Sequence, residues 1–168
     1  MKKLHILCIE DEPEVLDAIL RDLTQFETHF TLLSASDAPE AKELIREMNG
    51  GEEAIALIFC DHILPGQRGI ELMIELQQNQ TDVLKNTRKV LFTGQAGHEE
   101  TIQAINEAGI HHYLSKPWDP KRLQETTKQL LTDYVIRQKM QPLPYMQILD
   151  PKRLNEYIHD QNVIHDAG

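Results

Sequence analysis

The sequence predicts an α/β fold in which helices cover both faces of a parallel sheet. Two observations predict it. Short apolar runs of strand length occur five times along the 168 residues, and apolar residues at helical spacing follow each run. Regular alternation of this kind favours a doubly wound parallel sheet with right-handed crossovers.

The five predicted strands share a pattern, an apolar run that ends at polar or turn residues. They cover residues 4–9, 30–34, 54–60, 89–92 and 110–114. The third run is apolar throughout, which is typical of a parallel strand buried on both faces. Leu64-Pro65-Gly66 follows it and predicts a turn.

The helices are predicted from start signals and from the spacing of apolar residues. The first begins near Pro13, and the second begins near Pro39 behind a cap at Asp37. The remaining three are expected at about 70–76, 98–107 and 119–137. Five strands and five helices therefore account for most of the chain.

Composition excludes several classes of protein. The net charge is −10, from 17 basic and 27 acidic residues, and no basic cluster stands out, so this chain alone is not expected to bind nucleic acid. No apolar run approaches the roughly 20 residues of a membrane span, and no signal peptide is evident. Cys8 and Cys60 lie inside apolar runs, as buried thiols do in a reducing compartment. We therefore expect a cytoplasmic protein without membrane contact.

Asp61, at the end of the third strand, is the most informative residue. Alone it would be interpreted as a turn or cap residue. Parallel strands end at one common edge, where such sheets place their ligand sites. Glu10 and Asp11 follow the first strand, Thr93 the fourth and Lys116 the fifth. The sequence therefore gathers three acids, a hydroxyl and a cation at one edge.

Charge argues against a purely structural role for this set. Two carboxylates 4 Å apart repel by about 4 kcal/mol at an effective dielectric constant of 20. A hard divalent cation offsets that repulsion, and Mg²⁺ favours carboxylate oxygens with room for a phosphate. Lys116 and Thr93 would neutralise a phosphoryl group in transfer, and Asp61 would be the nucleophile that forms an aspartyl phosphate.

The motifs at these strand ends resemble one known family. The segments that carry the resemblance are Ile6-Leu7-Cys8-Ile9-Glu10-Asp11-Glu12, Asp61-His62-Ile63-Leu64-Pro65-Gly66, Gly69-Ile70-Glu71-Leu72, Thr93-Gly94 and Lys116-Pro117. Together, over residues 3 to about 135, they are similar to the receiver domain of two-component response regulators. The resemblance implies a flavodoxin-like sheet of strand order 2-1-3-4-5.

The resemblance also implies a reaction and a metal. Asp61 would accept a phosphoryl group from a sensor histidine kinase or a histidine phosphotransfer protein. Glu10, Asp11 and Asp61 would hold Mg²⁺ together with the backbone carbonyl of Ile63. By the same resemblance the chain is a signalling domain that controls an output or partner, and not a conventional enzyme.

Further residues take their roles from the resemblance alone. Thr93 and Lys116 would bind the phosphoryl oxygens. Tyr113 matches an aromatic switch position, expected to turn inward as Thr93 moves toward the phosphate. The bond between Lys116 and Pro117 is expected to be cis.

The chain departs from the commonest family pattern at a few positions. Glu10 is longer than aspartate, so we expect it to reach the metal through a water. By the resemblance, Ile63 and Gln95 would flank the route of a hydrolytic water and so affect the lifetime of the phosphate. Arg68 stands where an acid is common, and it either steers an acidic partner or pairs with Glu71.

Two alternative functions are disfavoured by particular residues. A receiver-like module that acts without phosphorylation would have lost Asp61 or Lys116, and both are present. A hydrolase of the haloacid dehalogenase kind needs an acid two residues after its nucleophile to protonate the leaving group. Ile63 occupies that position.

The C-terminal segment lies outside the resemblance. We expect a receiver domain over residues 1–137, then a linker and a short amphipathic helix over 138–168. Asp150 and Pro151 predict the start of that helix, and Leu154, Tyr157 and Ile158 form its apolar stripe. Three roles are open for the segment: it docks on the receiver, it mediates homodimerisation, or it begins an output domain beyond residue 168. We favour dimerisation or an output domain.

Overall fold

The computed structural model describes residues 2–94 and 104–167, with side chains for 2–94 and 106–162. Its centre is a five-stranded parallel sheet of order β2-β1-β3-β4-β5. The strands are β1 Lys3–Ile9, β2 Thr31–Ala35, β3 Glu53–Asp61, β4 Arg88–Thr93 and β5 His112–Ser115. The predicted fold class and sheet order are confirmed.

Helices follow every strand. They are α1 Pro13–Asp22, α2 Ala38–Glu47, α3 Gly69–Gln78, the π-helical segment α4 Ala104–Ala108, α5 Pro120–Arg137 and α6 Pro151–Ala167. Short 3₁₀ turns lie at Thr24–Phe26, Asp82–Leu84 and Leu143–Tyr145. Much of the helix expected over 98–107 lies outside the described residues, as does Gln95.

Helix starts follow the signals in the sequence. Asp37 caps α2, since its carboxylate accepts a hydrogen bond of 2.8 Å from the Glu40 N–H. Asp150 likewise accepts from the N–H groups of Lys152 and Arg153 at the start of α6. Side-chain acceptors of this kind satisfy N–H groups that have no partner inside the helix.

Two apolar cores lie on opposite faces of the sheet. Phe59 and Phe92 stack at 5.7 Å on the face that α1 and α5 cover. Ile58 and Leu91 lie on the face that α2 and α3 cover. Side chains along β3 enter the two cores in turn, except that Ala56 and Leu57 both lie in the core that α1 and α5 cover, beside a register shift against β1. Burial on both faces explains the continuous apolar run of β3.

Both cysteines are free thiols in the interior, as predicted. Burial raises the pKa of Cys8 to about 12 and that of Cys60 further. A thiol that keeps its proton is a poor nucleophile, so both act as small apolar side chains.

The strand boundary that differs most from the sequence prediction is the start of β5. The strand begins at His112, two residues after the apolar run begins at Ile110. Gly109, at a φ of +64°, turns the chain after α4. Ile110 is buried in the core under α2 and α3, so it looks like a strand residue in the sequence although it lies in the connection.

The beginning of the C-terminal segment docks on the receiver. Tyr145 is buried and its ring lies 5.9 Å from that of Phe30. Leu149 and Leu154 are also buried, in the core that α1 and α5 cover. Residues 145–154 are thus docked, whereas the boundary at residue 137, dimerisation and an output domain stay predictions.

Polar contacts surround these buried side chains. The Arg153 guanidinium forms an ion pair with Asp133 of α5 and donates to the backbone carbonyl of Gln129 at 3.2 Å. The Thr132 hydroxyl accepts a hydrogen bond of 3.1 Å from the Asp150 N–H. The start of α6 is therefore fixed to α5 by apolar and polar contacts together.

Among the described residues, no helix is both long enough and apolar enough to cross a bilayer.

Lys89 is a cation inside the core. It is 2% exposed, and its Nζ donates to Oε1 of Gln77 on α3 at 2.5 Å and to the carbonyl of Ala108 on α4 at 3.4 Å. Both partners are uncharged. Burial first, and then the charge of Arg88, lower the pKa of Lys89 to about 8.

Lys89→Met is expected to stabilise the protein at pH 7 by about 1–3 kcal/mol, because it removes a buried charge whose partners are neutral. The folded pKa of about 8 lies below the usual 10.5, so the unfolded chain binds the extra proton between these values. The gain should therefore shrink as pH rises above 8 and vanish near 10.5. Urea unfolding across this range measures it, with exposed Lys85→Met as the control. A loss of stability at pH 7 would contradict the prediction.

Candidate functional site

Three acids meet at the carboxyl edge of the sheet, as predicted. Ile9 pairs with Cys60 in the ladder between β1 and β3, so the residues that follow lie side by side. One side-chain oxygen from each of Glu10, Asp11 and Asp61 lies within 4.8 Å of the others. Glu10 and Asp61 are buried, whereas Asp11 is exposed.

Lys116 holds two of these acids together. Its Nζ lies 3.0 Å from Oδ1 of Asp61, and 3.0 and 3.1 Å from the two carboxylate oxygens of Glu10. Its own N–H donates to the carbonyl of Thr93 at 3.0 Å, which fixes the backbone after β5. Burial lowers the pKa of Lys116, but its bonds to the two acids outweigh this and raise the pKa overall.

Opposing effects act on the Glu10 carboxyl. Burial raises its pKa to about 7, the charge of Asp61 acts in the same direction, and the bond from Lys116 opposes both. The longer side chain of glutamate presents both oxygens to Lys116. The Lys116 ammonium, which contacts both Glu10 and Asp61, therefore partly offsets the repulsion between these two acids.

The donor set fits a hard divalent cation. Carboxylate oxygens from three residues converge, and oxygen is the donor that Mg²⁺ prefers. The expected fourth donor, the carbonyl of Ile63, belongs to the loop that follows β3. An antiparallel bridge between Ile63 and Arg68 closes that loop, and beside it the Gly69 N–H donates to the His62 carbonyl at 2.7 Å.

The backbone of Asp61 packs directly against Gly69, the first residue of α3. A Cβ at residue 69 would lie 2.0 Å from the Asp61 carbonyl oxygen, closer than any non-bonded contact allows. The same carbonyl accepts a bond of 3.3 Å from the Cys60 thiol. Sequence reasoning included Gly69 in a motif but missed this requirement, since nothing in the local pattern shows how closely α3 approaches β3.

Thr93 and Tyr113 lie on the neighbouring strands. Thr93 ends β4, is 7% exposed and follows Phe92, the residue that pairs with Asp61. Tyr113 pairs with Leu91 and packs, half-buried, against the core under α2 and α3. Thr93 thus reaches the edge that carries Asp61, and the switch role of Tyr113 stays a prediction.

Three other residues of this edge are placed by the structure. The bond between Lys116 and Pro117 is cis, as expected. Trp118 lies half-buried with its ring 5.1 Å from Phe92, and its indole N–H donates to Asp22 at the end of α1 at 2.9 Å. Arg68 pairs with Glu71 at 2.9 Å, one of its two expected roles.

Comparison with known proteins agrees with this geometry. The model of the family described as "Response regulator receiver domain" matches residues 6–128. The chain belongs to the response regulator receiver domain family. The sequence resemblance to receiver domains is thereby confirmed.

Two curated relatives of this receiver domain are named as regulatory or control proteins. The hydrogenase transcriptional regulatory protein HoxA of Cupriavidus necator is 30% identical over 128 residues, which are 76% of this chain and 24% of that protein. The aerobic respiration control protein ArcA of Escherichia coli strain K12 is 28% identical over 79% of this chain and 50% of its own length. The chain thus spans about a quarter to a half of these two relatives.

Solved structures of receiver domains share the fold. The signal receiver domain of an HD domain-containing protein from Pseudomonas fluorescens Pf-5 superposes with a TM-score of 0.70 at 26% identity, over 83% of this chain and 94% of that one. A CheY-like response regulator receiver domain protein from Methanospirillum hungatei JF-1 gives 0.66 at 28% identity, over 80% and 97%.

Proposed function

We propose that this receiver domain accepts a phosphoryl group on Asp61 from a sensor histidine kinase or a histidine phosphotransfer protein, with Mg²⁺, and thereby controls an output or partner. The observation that carries the proposal is the position of Asp61. Its carboxylate lies 3.0 Å from the Lys116 ammonium and within 4.8 Å of oxygens of Glu10 and Asp11. This carboxylate is thus close both to a cation and to two further carboxylates that could bind a metal.

The transfer is a displacement at phosphorus. An oxygen of Asp61 forms the new P–O bond while the P–N bond to the donor histidine breaks, and the electron pair leaves with the imidazole, which takes up a proton. Lys116 and the Thr93 hydroxyl would bind phosphoryl oxygens as the phosphate arrives. Because Lys116 is bonded to Glu10 and Asp61 before transfer, phosphate would compete for its N–H donors.

Glu10, Asp11, Asp61 and the carbonyl of Ile63 would hold the metal. Bound Mg²⁺ would supply positive charge that offsets both the acids and the phosphoryl oxygens. Asp11 is exposed, and the Lys116 ammonium contacts Glu10 and Asp61 instead, so the Asp11 carboxylate is the one best placed to gain a ligand at little cost. Glu10, already engaged by Lys116, would act through a water.

Phosphorylation itself is tested with a small-molecule phosphodonor such as acetyl phosphate. Intact-mass spectra should show a gain of one phosphate with Mg²⁺ present, and the product should be acid-stable and base-labile. Chelation with EDTA should abolish the gain, because the acids would then repel the incoming phosphate. A gain that survives EDTA would contradict the role of the metal, and no gain with any donor would contradict the function.

Asp11→Ala is expected to weaken Mg²⁺ binding at least about tenfold, because it removes one of three carboxylate donors. Isothermal titration calorimetry measures the affinity directly. Glu12→Ala is the matched control, since Glu12 is an exposed neighbouring acid outside the three-acid cluster. Equal affinities for Asp11→Ala and wild type would contradict the acidic-pocket model.

Two facts bear on what the phosphorylated receiver controls: the family to which the chain belongs, and the greater length of its curated relatives. We expect the phosphorylated receiver to act on an output domain, a separate partner or a second copy of the chain. The cytoplasmic location and the absence of membrane and nucleic-acid partners for this chain alone also stay expectations. We expect such a receiver to be a signalling component that takes up and removes its own phosphate, and not a conventional enzyme.

A further inference from the structure

The loop between β3 and α3, residues 62–68, carries the Ile63 carbonyl and forms part of the site. Its outer side is open, because Ile63 is 74% exposed and Gly66 turns the chain at a φ of +77°. Leu64 is buried and anchors the middle of the loop. The backbone bridge between Ile63 and Arg68 joins the two ends of the loop. The position of the loop as a whole therefore depends also on side-chain contacts made by its second half, residues 65–68.

Gln67 fixes that second half through its side chain. The half-buried amide points along α3, and its Nε2 donates to Oε1 of Glu75 at 2.5 Å. The other oxygen of Glu75 lies 2.5 Å from the Lys42 ammonium of α2. The loop, α3 and α2 are therefore joined through one carboxylate.

The Glu75 carboxylate is charged, which suits it to hold both Gln67 and Lys42. The hydrogen bond from Lys42 first, and then the one from Gln67, lower its pKa, so it stays ionised at neutral pH. A hydrogen bond to a charged acceptor is stronger than one between neutral groups. Arg46 and Glu43, by contrast, form a pair within α2 that does not reach the loop.

We propose that Gln67 is a positioning residue for the metal-binding loop, held by Glu75 and Lys42 so that the Ile63 carbonyl faces the acids. The inference rests on the proposed Mg²⁺-dependent function. Nothing in the local sequence pairs residues 67, 75 and 42, and the connection arises from the packing of α2 beside α3. Ordinary surface ion pairs contribute little to stability, so the expected effect is on the loop and not on the fold.

Two measurements on the whole chain test this role, with Gln67→Ala, Gln67→Glu and the control Arg46→Ala. Hydrogen–deuterium exchange of peptides that cover 62–68, without metal, should be faster in both Gln67 variants and unchanged in the control. Calorimetry should show Mg²⁺ affinity lowered about threefold to tenfold in both Gln67 variants. Gln67→Glu should be at least as severe, because it places a second carboxylate against Glu75.

The outcomes separate this inference from the proposed function. Wild-type Mg²⁺ binding together with unchanged affinity or unchanged loop exchange in Gln67→Ala overturns the positioning role alone. The same loss of affinity in Arg46→Ala also overturns it, since the effect would then be general. A wild-type protein that binds no Mg²⁺ overturns the proposed function and this inference with it.

Discussion

Asp61→Asn is expected to abolish phosphoryl acceptance, to below about one hundredth of the wild-type extent, while the protein stays folded. An amide oxygen is a far weaker nucleophile than a carboxylate oxygen, and the substitution keeps the shape of the side chain. The Oδ1 that lies 3.0 Å from Lys116 would still accept its hydrogen bond. Intact-mass spectra with a phosphodonor and Mg²⁺ measure the extent, and urea unfolding reports the fold.

Asp37→Asn is the matched control for this experiment. Asp37 also follows a strand of the sheet, but its carboxylate caps α2, a role that asparagine performs equally well. The control should be labelled as fully as wild type. An equal gain of phosphate in Asp61→Asn would reject Asp61 as the acceptor and direct the search to the other acids of the edge.

Gly69→Ala is expected to destabilise the fold by about 3 kcal/mol and to slow phosphorylation. The new Cβ would lie 2.0 Å from the Asp61 carbonyl oxygen and 2.9 Å from its carbonyl carbon. Backbone atoms cannot rotate away as a side chain can, so β3 and α3 must separate. That separation displaces the nucleophile itself, which links stability to activity at one position.

Gly51→Ala provides the comparison for Gly69→Ala. A Cβ at residue 51 would meet the Asn49 side chain at 3.4 Å, an ordinary contact. Urea unfolding should therefore separate the two variants by a few kcal/mol. Equal stabilities would mean that the approach of α3 to Asp61 is looser than the structure has it.

Local patterns in the sequence suffice for the strands and for the acids at their ends. The run before Asp61 predicts β3 because burial on both faces demands apolar residues at every position. The common edge then follows from parallel topology, which brings Glu10 and Lys116 together although 106 positions separate them.

Other features depend on packing between distant segments and leave no local signal. Lys89 occurs in an apolar strand, and its pairing with Gln77 and Ala108 needs α3 and α4 to be in place. Docking of Tyr145 against Phe30 likewise depends on the return of the chain after α5. The bidentate contact of Glu10 with Lys116 was not expected either, because side-chain length alone does not fix the partner.

Trp118 has a practical consequence for the study of this receiver. It is the single tryptophan of the chain, so all indole emission comes from one place. Its ring packs on Phe92, the neighbour of Thr93, and its N–H is bonded to Asp22. The protein therefore carries a built-in optical probe beside its phosphorylation edge, readable without any label.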